Sequence, residues 1–348
     1  MSTAFESLPI IDLAPLQDPQ VSPETLKELA ATVRHTFETV GFAYLVNHNV
    51  NLNHKELFDT AREFFSLSQE EKLHLAKKTF VPLNNNTYRG YFPVQKNDTS
   101  YKEGFEVGSF ESGHPLGQAT GKFNLQEPNV WPEHQPEFRN KTEEYFDGCT
   151  RLGNQLMSLV ALSFGLEQDY FVPLFKPTAS TLRYLHYPAR SVKAEDSAAN
   201  DDDDALLSCS KHTDSGIVTL LCQDTVGGLE VRNSLGNWIP APYVPESFVV
   251  NLGDLMTRWT NGKFVATMHR VRATNQDRLS IPFFFEPRLD CLIKPLQPCL
   301  DNGVSYYSPV RYGEHVLGKM ATWVEYQDDR ETETNHTQIA AAYPVSVA

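Results

Sequence analysis

Paired cysteines are missing from this chain. Its five cysteines (Cys149, Cys209, Cys222, Cys291 and Cys299) are odd in number and form no C-x-x-C pair. That argues against a disulfide framework and for a reducing compartment, the cytosol by default. Cys209 and Cys222 fall in expected strands and read as small buried hydrophobes. Long apolar runs are missing as well: none approaches the ~20 residues that cross a bilayer. Met1 to Leu8 has neither the basic nor the apolar region of a secretory signal. There is no cluster of lysine and arginine, and the formal net charge is −14, so neither a nucleic-acid partner nor a membrane is expected. Internal repeats are absent. What is present is 41% hydrophobic residues in 348, enough for a sizeable core.

Two stretches carry the chemistry. The first is Ser210-Lys211-His212-Thr213-Asp214, and the second is Met268-His269-Arg270-Val271, followed by Arg278-Leu279-Ser280. In a strand, residues two apart share a face, so His212 and Asp214 would converge on one point. His269 can supply a third ligand once the sheet curls round. Two histidines and a carboxylate on one face of a metal leave the opposite positions open, the arrangement of non-haem Fe(II) oxygenases. Zinc hydrolases also use two histidines and a carboxylate, but the helical H-E-x-x-H pattern is not present.

The order H-x-D, a distant H, then R-x-S resembles the 2-oxoglutarate/Fe(II) dioxygenase superfamily, in particular its isopenicillin N synthase-like branch. The matching run continues through Gly227 to Val231, Trp238-Ile239, Val250 to Asp254, Trp259 to Gly262 and Phe285-Glu286-Pro287. It reaches back to Pro9 to Leu13, Gly41-Phe42 and Val46-Asn47-His48. The resemblance implies a mainly β fold with flanking α: a double-stranded β-helix (jelly-roll) barrel with N-terminal helices packed on one face. It divides into an N-terminal helical and strand region (1–175), a catalytic jelly-roll core (176–290) and a C-terminal extension (291–348), as one structural unit.

The residue pattern fits that frame. Pro9 to Leu13 reads as a strand, then Leu26, Leu29, Ala30, Val33 and Phe37 have helical spacing, with Ser22 as cap and Pro23 at the first helical position. Asn49 stands where the family usually has glycine and is expected to take the left-handed turn. His48 reads as a structural histidine. Leu52 to Phe65 is a second helix, and Ser68 with Glu71 is a capping box opening a third. The polar loop Asn84 to Thr87, leading into Tyr88 to Tyr91, and Tyr101 to Glu106 resemble segments over the barrel mouth. A long helix is expected from Pro136 to Phe164, and a strand from Thr181 to Tyr187. The acidic run at 190–204 reads as a mobile loop. Short β runs separated by turns fill Leu206 to Pro287, the pattern of a double-sheet jelly roll. A last helix is expected over 313–327. Asn251, Asp254 and Trp259 read as turn and core residues.

For chemistry, the resemblance implies Fe(II) held by His212, Asp214 and His269, with 2-oxoglutarate as co-substrate and dioxygen as oxidant. Arg278, Ser280 and Tyr187 are expected around the far carboxylate of 2-oxoglutarate, because a guanidinium fork matches a carboxylate. Decarboxylation to succinate would drive hydroxylation, desaturation or ring formation at an unactivated C–H of a small organic molecule, in secondary metabolism. Alternation puts Arg183, Thr181 and Phe284 on the cavity face, and Arg89 in the mouth segment, as substrate contacts. An inward Arg183 needs a counter-charge, from which a substrate bearing a carboxylate or another strong acceptor is expected. The alternatives are a 2-oxoglutarate-independent oxidase like isopenicillin N synthase and a catalytically silent ligand-binding barrel. A monomer or weak homo-oligomer is expected.

Overall fold

The computed structural model describes residues 3–51, 53–94, 101–110, 124–190 and 207–320. The elements in order are β1 (Ile10–Asp12), α1 (Pro23–Thr39), β2 (Phe42–Val46), α2 (His54–Phe65), α3 (Gln69–His74), β3 (Gly90–Phe92) and β4 (Glu103–Gly108). The long α4 (Pro136–Ser163) separates them from β5 (Thr181–Tyr187), β6 (Leu207–His212), β7 (Val218–Gln223), β8 (Leu229–Arg232), β9 (Trp238–Pro240) and β10 (Phe248–Leu252). Then come α5 (Asp254–Trp259), β11 (His269–Arg272), β12 (Arg278–Phe285), the short pair β13 (Leu292–Ile293) and β14 (Val310–Arg311), and α6 (Tyr312–Met320).

The local signals act as read. The Ser22 hydroxyl accepts from the Thr25 amide with Pro23 at the first turn, and Ser68 and Glu71 form the reciprocal capping box. Each satisfies amides that a helix start leaves unpaired. Three local expectations differ. The left-handed residue of the early turn is Asn47 (φ 52°), not Asn49; the Asn47 side-chain amide is held by Asp12 at 2.8 Å. Glu103–Gly108 is a fully buried strand within a sheet rather than a cover over the mouth. Asp254 opens a short helix, Asp254–Trp259, rather than a turn, while Trp259 lies in the core as expected. The 190–204 loop, past Arg190, and the far end of the 313–327 helix lie outside the described residues.

Two sheets form the β layers. The major sheet has eight strands in the order β1-β2-β10-β7-β12-β5-β4-β3, and the minor sheet four in the order β6-β11-β8-β9. Alternation divides the major sheet into two unlike faces. Its outer face carries Leu182, Tyr184, Leu220, Cys222, Ile281, Phe283 and Phe285, all fully buried in one cluster with Val33 and Phe37 of α1 and Leu152, Leu156 and Val160 of α4. Removing a ring such as Phe283 from that layer would cost about 3–5 kcal/mol. Its inner face carries Thr219, Gln223, Asn251, Arg278, Ser280, Thr181 and Arg183, and is the polar wall on which the site is built.

Candidate active site

The minor sheet supplies both histidines. His212 ends β6 and His269 opens β11, and the two are paired partners in the antiparallel ladder. Their ring centroids are 4.2 Å apart. The ladder is irregular here: Val271 pairs with Cys209, so two residues on β11 face three on β6. Such a bulge reverses the alternation. It brings Cys209, three residues before His212, onto the inner face as well. Asp214 lies just beyond β6 in a turn rather than within the strand, and the turn returns its carboxylate to the histidines. Asp214 Oδ1 lies 3.7 Å from Nε2 of each histidine, and one ligand atom from each of the three residues lies within 4.8 Å of the others.

The surrounding bonds point these atoms at a common centre. His212 Nδ1 is 2.8 Å from the Ser210 carbonyl and His269 Nδ1 is 3.1 Å from the Thr267 carbonyl. A carbonyl only accepts, so each Nδ1 carries a proton and each Nε2 is the nitrogen that faces a metal. The other oxygen of Asp214, Oδ2, accepts from the Thr219 hydroxyl and, at 2.7 Å, from the Asn251 amide. Oδ1 is left to the metal side. Burial and the charge of His212 push His269 down to about 4. Burial opposes the charge on Asp214, but His269 and His212 hold its carboxyl below the usual range. Burial likewise opposes the charge on His212, yet the Cys209 sulfur and Asp214 outweigh it and push the imidazole up to about 9. A cation binding at His212 Nε2 would therefore release a proton.

The Arg278 end of the cavity lies along β12. Arg278 pairs with Tyr187 across β5, and its guanidinium sits 4.9 Å over the Tyr187 ring. Arg278 is 1% exposed; its Nε donates to the Gly227 carbonyl at 2.6 Å, while its Nη1 is buried with no hydrogen-bond partner among the described residues. Ser280 is buried two residues on, on the same face. Phe92, Leu185 and Tyr187 form an apolar patch against which Cys209 packs, joining this pocket to the His212 side. A buried guanidinium with an unused N–H, beside a hydroxyl and an aromatic floor, fits the far carboxylate of a keto diacid.

The other inward residues group at the opposite end of the same face. Asn251, Thr219, Phe284, Thr181 and Gly108 lie side by side in one row across five strands. Phe284 is half-buried, and the Arg183 guanidinium lies 5.5 Å from its ring centroid. Arg183 pairs with Glu106 of β4, whose carboxylate also binds Lys77. An internal carboxylate thus meets Arg183, which removes the ground for inferring an anionic substrate from that residue. Arg89 is 4% exposed and donates to Thr181 Oγ1 at 2.8 Å. Its guanidinium occupies the space at Gly108, where an added Cβ would come within 2.2 Å of it. His48 stands outside the triad, edge-on to Phe248 at 4.8 Å.

Some participants were not legible as such. Asn251 and Thr219 orient Asp214, yet Asn251 reads from sequence as a turn residue and Thr219 as an ordinary strand residue. Cys209 is half-buried rather than enclosed, and its sulfur lies 3.9 Å from His212 Nδ1. Cys209 packs on an apolar patch, but a bulge that leaves no mark in the sequence also turns it towards His212.

Comparison with known proteins agrees with this geometry. Residues 180–287 match the model of the 2OG-Fe(II) oxygenase superfamily, and residues 8–134 match that of the non-haem dioxygenase in morphine synthesis N-terminal region. A homoarginine-6-hydroxylase of Glycine max is 33% identical over 343 residues, covering 92% of this chain and 98% of that one. Isopenicillin N synthase of Penicillium rubens is 29% identical, covering 93% and 98%. The crystal structure of a full-length Neurospora crassa protein in complex with alpha-KG and 5-formyluracil aligns with a TM-score of 0.75 at 29% identity, over 91% of this chain and 96% of that one. Among the described residues no helix is long and apolar enough to cross a membrane. With a jelly-roll fold, a His-Asp-His group able to bind iron and relatives of this kind along its length, the chain belongs to the 2OG-Fe(II) oxygenase superfamily and is a non-haem Fe(II), 2-oxoglutarate-dependent oxygenase.

Proposed function

We propose that His212 Nε2, His269 Nε2 and Asp214 Oδ1 hold a single Fe(II), and that Arg278, with Ser280 and Tyr187, receives the far carboxylate of 2-oxoglutarate. The observation that carries the metal assignment is the convergence of three donor atoms within 4.8 Å, each with its other polar atom already engaged. The unused buried Nη1 of Arg278 supports the co-substrate assignment. When bound, Fe(II) supplies dioxygen activation coupled to decarboxylation of 2-oxoglutarate to succinate. The chain's own part is placement: Asn251 and Thr219 fix the carboxylate, the two carbonyls fix the imidazole tautomers, and Arg278 fixes the co-substrate's distance from the metal.

The target is an unactivated C–H of a small organic molecule, with Phe284, Thr181, Arg183 and Arg89 as its wall. Relatives named as hydroxylases, and a neighbour crystallised with thymine, support hydroxylation of a small molecule as the first outcome to test. Five free cysteines support a cytosolic protein, and the acidic overall charge supports one without a nucleic-acid partner, acting as a monomer or weak homo-oligomer. The test is anaerobic addition of Fe(II) and 2-oxoglutarate, followed by air and a panel of small molecules. A weak metal-to-ligand charge-transfer band and substrate-stimulated succinate release are expected. Oxygen uptake without succinate would move the chain to a co-substrate-free oxidase, and no uptake at all would leave a silent barrel.

A further inference from the structure

The turn that carries Asp214 is gripped from outside the barrel by the C-terminal helix. α6 has two stripes at four-residue spacing, the spacing that places side chains above one another on one helical face. Tyr312, Val316 and Met320 form the first, all buried in the main core. His315 and Lys319 form the second; His315 reaches the metal turn directly and Lys319 reaches it through Asp254. His315 Nε2 lies 2.9 Å from the Ser215 carbonyl, the residue after Asp214. A carbonyl accepts, so the imidazole donates. Lys319 lies 3.6 Å from Asp254 Oδ2; Asp254 Oδ1 accepts from the Thr213 hydroxyl at 2.9 Å, and the Asp254 amide donates to the Asp214 carbonyl at 2.7 Å. The residues on both sides of Asp214 are thus tied, directly or through Asp254, to one face of α6.

The turn has little slack on its other sides. A Cβ at Gly216 would meet the Glu286 carboxyl at 1.7 Å, and one at Gly253 would meet the Gly216 backbone at 2.3 Å. The Leu255 amide donates to the Gly216 carbonyl at 3.0 Å. Ser215 is gripped by α6 instead, and its carbonyl is the point at which the helix acts most directly on the position of Asp214.

We infer that α6 is a working part of the metal site, with His315 as a positioning residue that sets the Asp214 carboxylate through the Ser215 carbonyl. This rests on the proposed His212–Asp214–His269 ligation. By reciprocity, a helix that raises metal affinity when docked is itself held more firmly when metal binds. Lys319 contributes less, because its pair with Asp254 is partly exposed on both sides.

The test is Co(II) titration of the full-length protein, read by the d–d absorption of the bound ion, beside thermal melts without added metal. His315→Ala is expected to weaken Co(II) binding by about 10–100-fold, the usual effect of losing a group that orients a ligand, with the metal-free melting temperature nearly unchanged. His315→Gln, whose amide nitrogen can reach the same carbonyl, should restore most of the affinity. Lys319→Met should cost less than His315→Ala. In wild type, Co(II) should slow amide exchange across 312–320, and in His315→Ala this protection should shrink. Unchanged affinity in His315→Ala would overturn the proposal. So would a loss that Gln does not restore and that tracks a fall in metal-free stability, which is the signature of a purely structural contact. If His315→Ala does not fold, His315→Asn, whose shorter amide falls short of the carbonyl, provides the same contrast with Gln. A wild type that binds no Co(II) would overturn the ligation itself, a result distinguishable from failure of the α6 link.

Discussion

Arg278 and Arg183 stand on neighbouring strands, face the same cavity, and differ in what balances them. Arg183 meets Glu106, a carboxylate from the next strand. Arg278 has a backbone carbonyl on one side and, among the described residues, a buried, unused N–H on the other. An arginine enclosed without a counter-charge is costly, which supports the proposal that Arg278 receives an anion arriving from outside. The wall at Arg183 is complete by itself. On that proposal one end of the cavity takes a carboxylate, while the other presents a neutralised, partly aromatic surface.

The largest effect expected is at the metal. His212→Ala, Asp214→Ala and His269→Ala should each abolish succinate release and metal binding while leaving the melting temperature close to wild type, because these side chains border a cavity rather than fill the core. Near-normal turnover with iron in any of them would show that the triad is misassigned. A chelator should stop wild-type turnover, and Fe(II) should restore it.

The comparison of arginines gives the next two expectations. Arg278→Ala leaves the co-substrate carboxylate without its cation, a loss of roughly 3–5 kcal/mol, or a hundredfold or more in 2-oxoglutarate affinity. Arg278→Lys should recover only part, since a point charge does not reproduce the planar fork. Arg183→Gln should behave differently. It takes a cation away from the buried Glu106 carboxylate and leaves Lys77 beside it. The damage should appear as a melting temperature lowered by several degrees with 2-oxoglutarate affinity kept. The check is to measure both quantities for both variants. A loss of 2-oxoglutarate binding in Arg183→Gln would mean that the two pockets have been assigned the wrong way round.

These contrasts also show what could be read from the chain. The convergence of His212, Asp214 and His269 and the shared face of Arg278 and Ser280 were legible, because the residue types recur at short or ordered spacing and strand alternation sets the face. The helices other than α5 were legible from their caps and apolar spacing. Glu106 as the partner of Arg183 was not, because the pairing depends on β4 lying beside β5, and strand adjacency over a separation of 77 residues leaves no local pattern (Glu106↔Arg183). Nor were the inward Cys209, which depends on a bulge, or the role of His315, which depends on where α6 docks. Local chemistry was visible in the sequence; long-range pairing was not.

Glu286 offers a third answer to the problem that Arg278 and Arg183 pose, and the smallest effect. Its carboxyl is buried, near enough to the Ile217 amide to accept from it at 3.2–3.3 Å. Burial, reinforced by the Asp214 charge and only partly offset by that amide, pushes its pKa well above the ordinary carboxylate value. Such a shift favours the neutral form of Glu286, whereas Arg183 is met by a carboxylate. The sign follows from proton counting. Above the unfolded value of about 4.3 the unfolded chain has lost this proton and the folded chain keeps it. The native state then binds more protons, so its stability falls as pH rises from the unfolded pKa towards the folded one. Glu286→Gln keeps the shape and an acceptor for Ile217 but has no proton to lose. The variant should therefore melt at a higher temperature than wild type near pH 7, and the gain should vanish near pH 4, where both carry a neutral group. Melting curves across that range decide it: a difference that does not depend on pH would mean that Glu286 is ionised in the fold and held by a counter-charge, as Glu106 is.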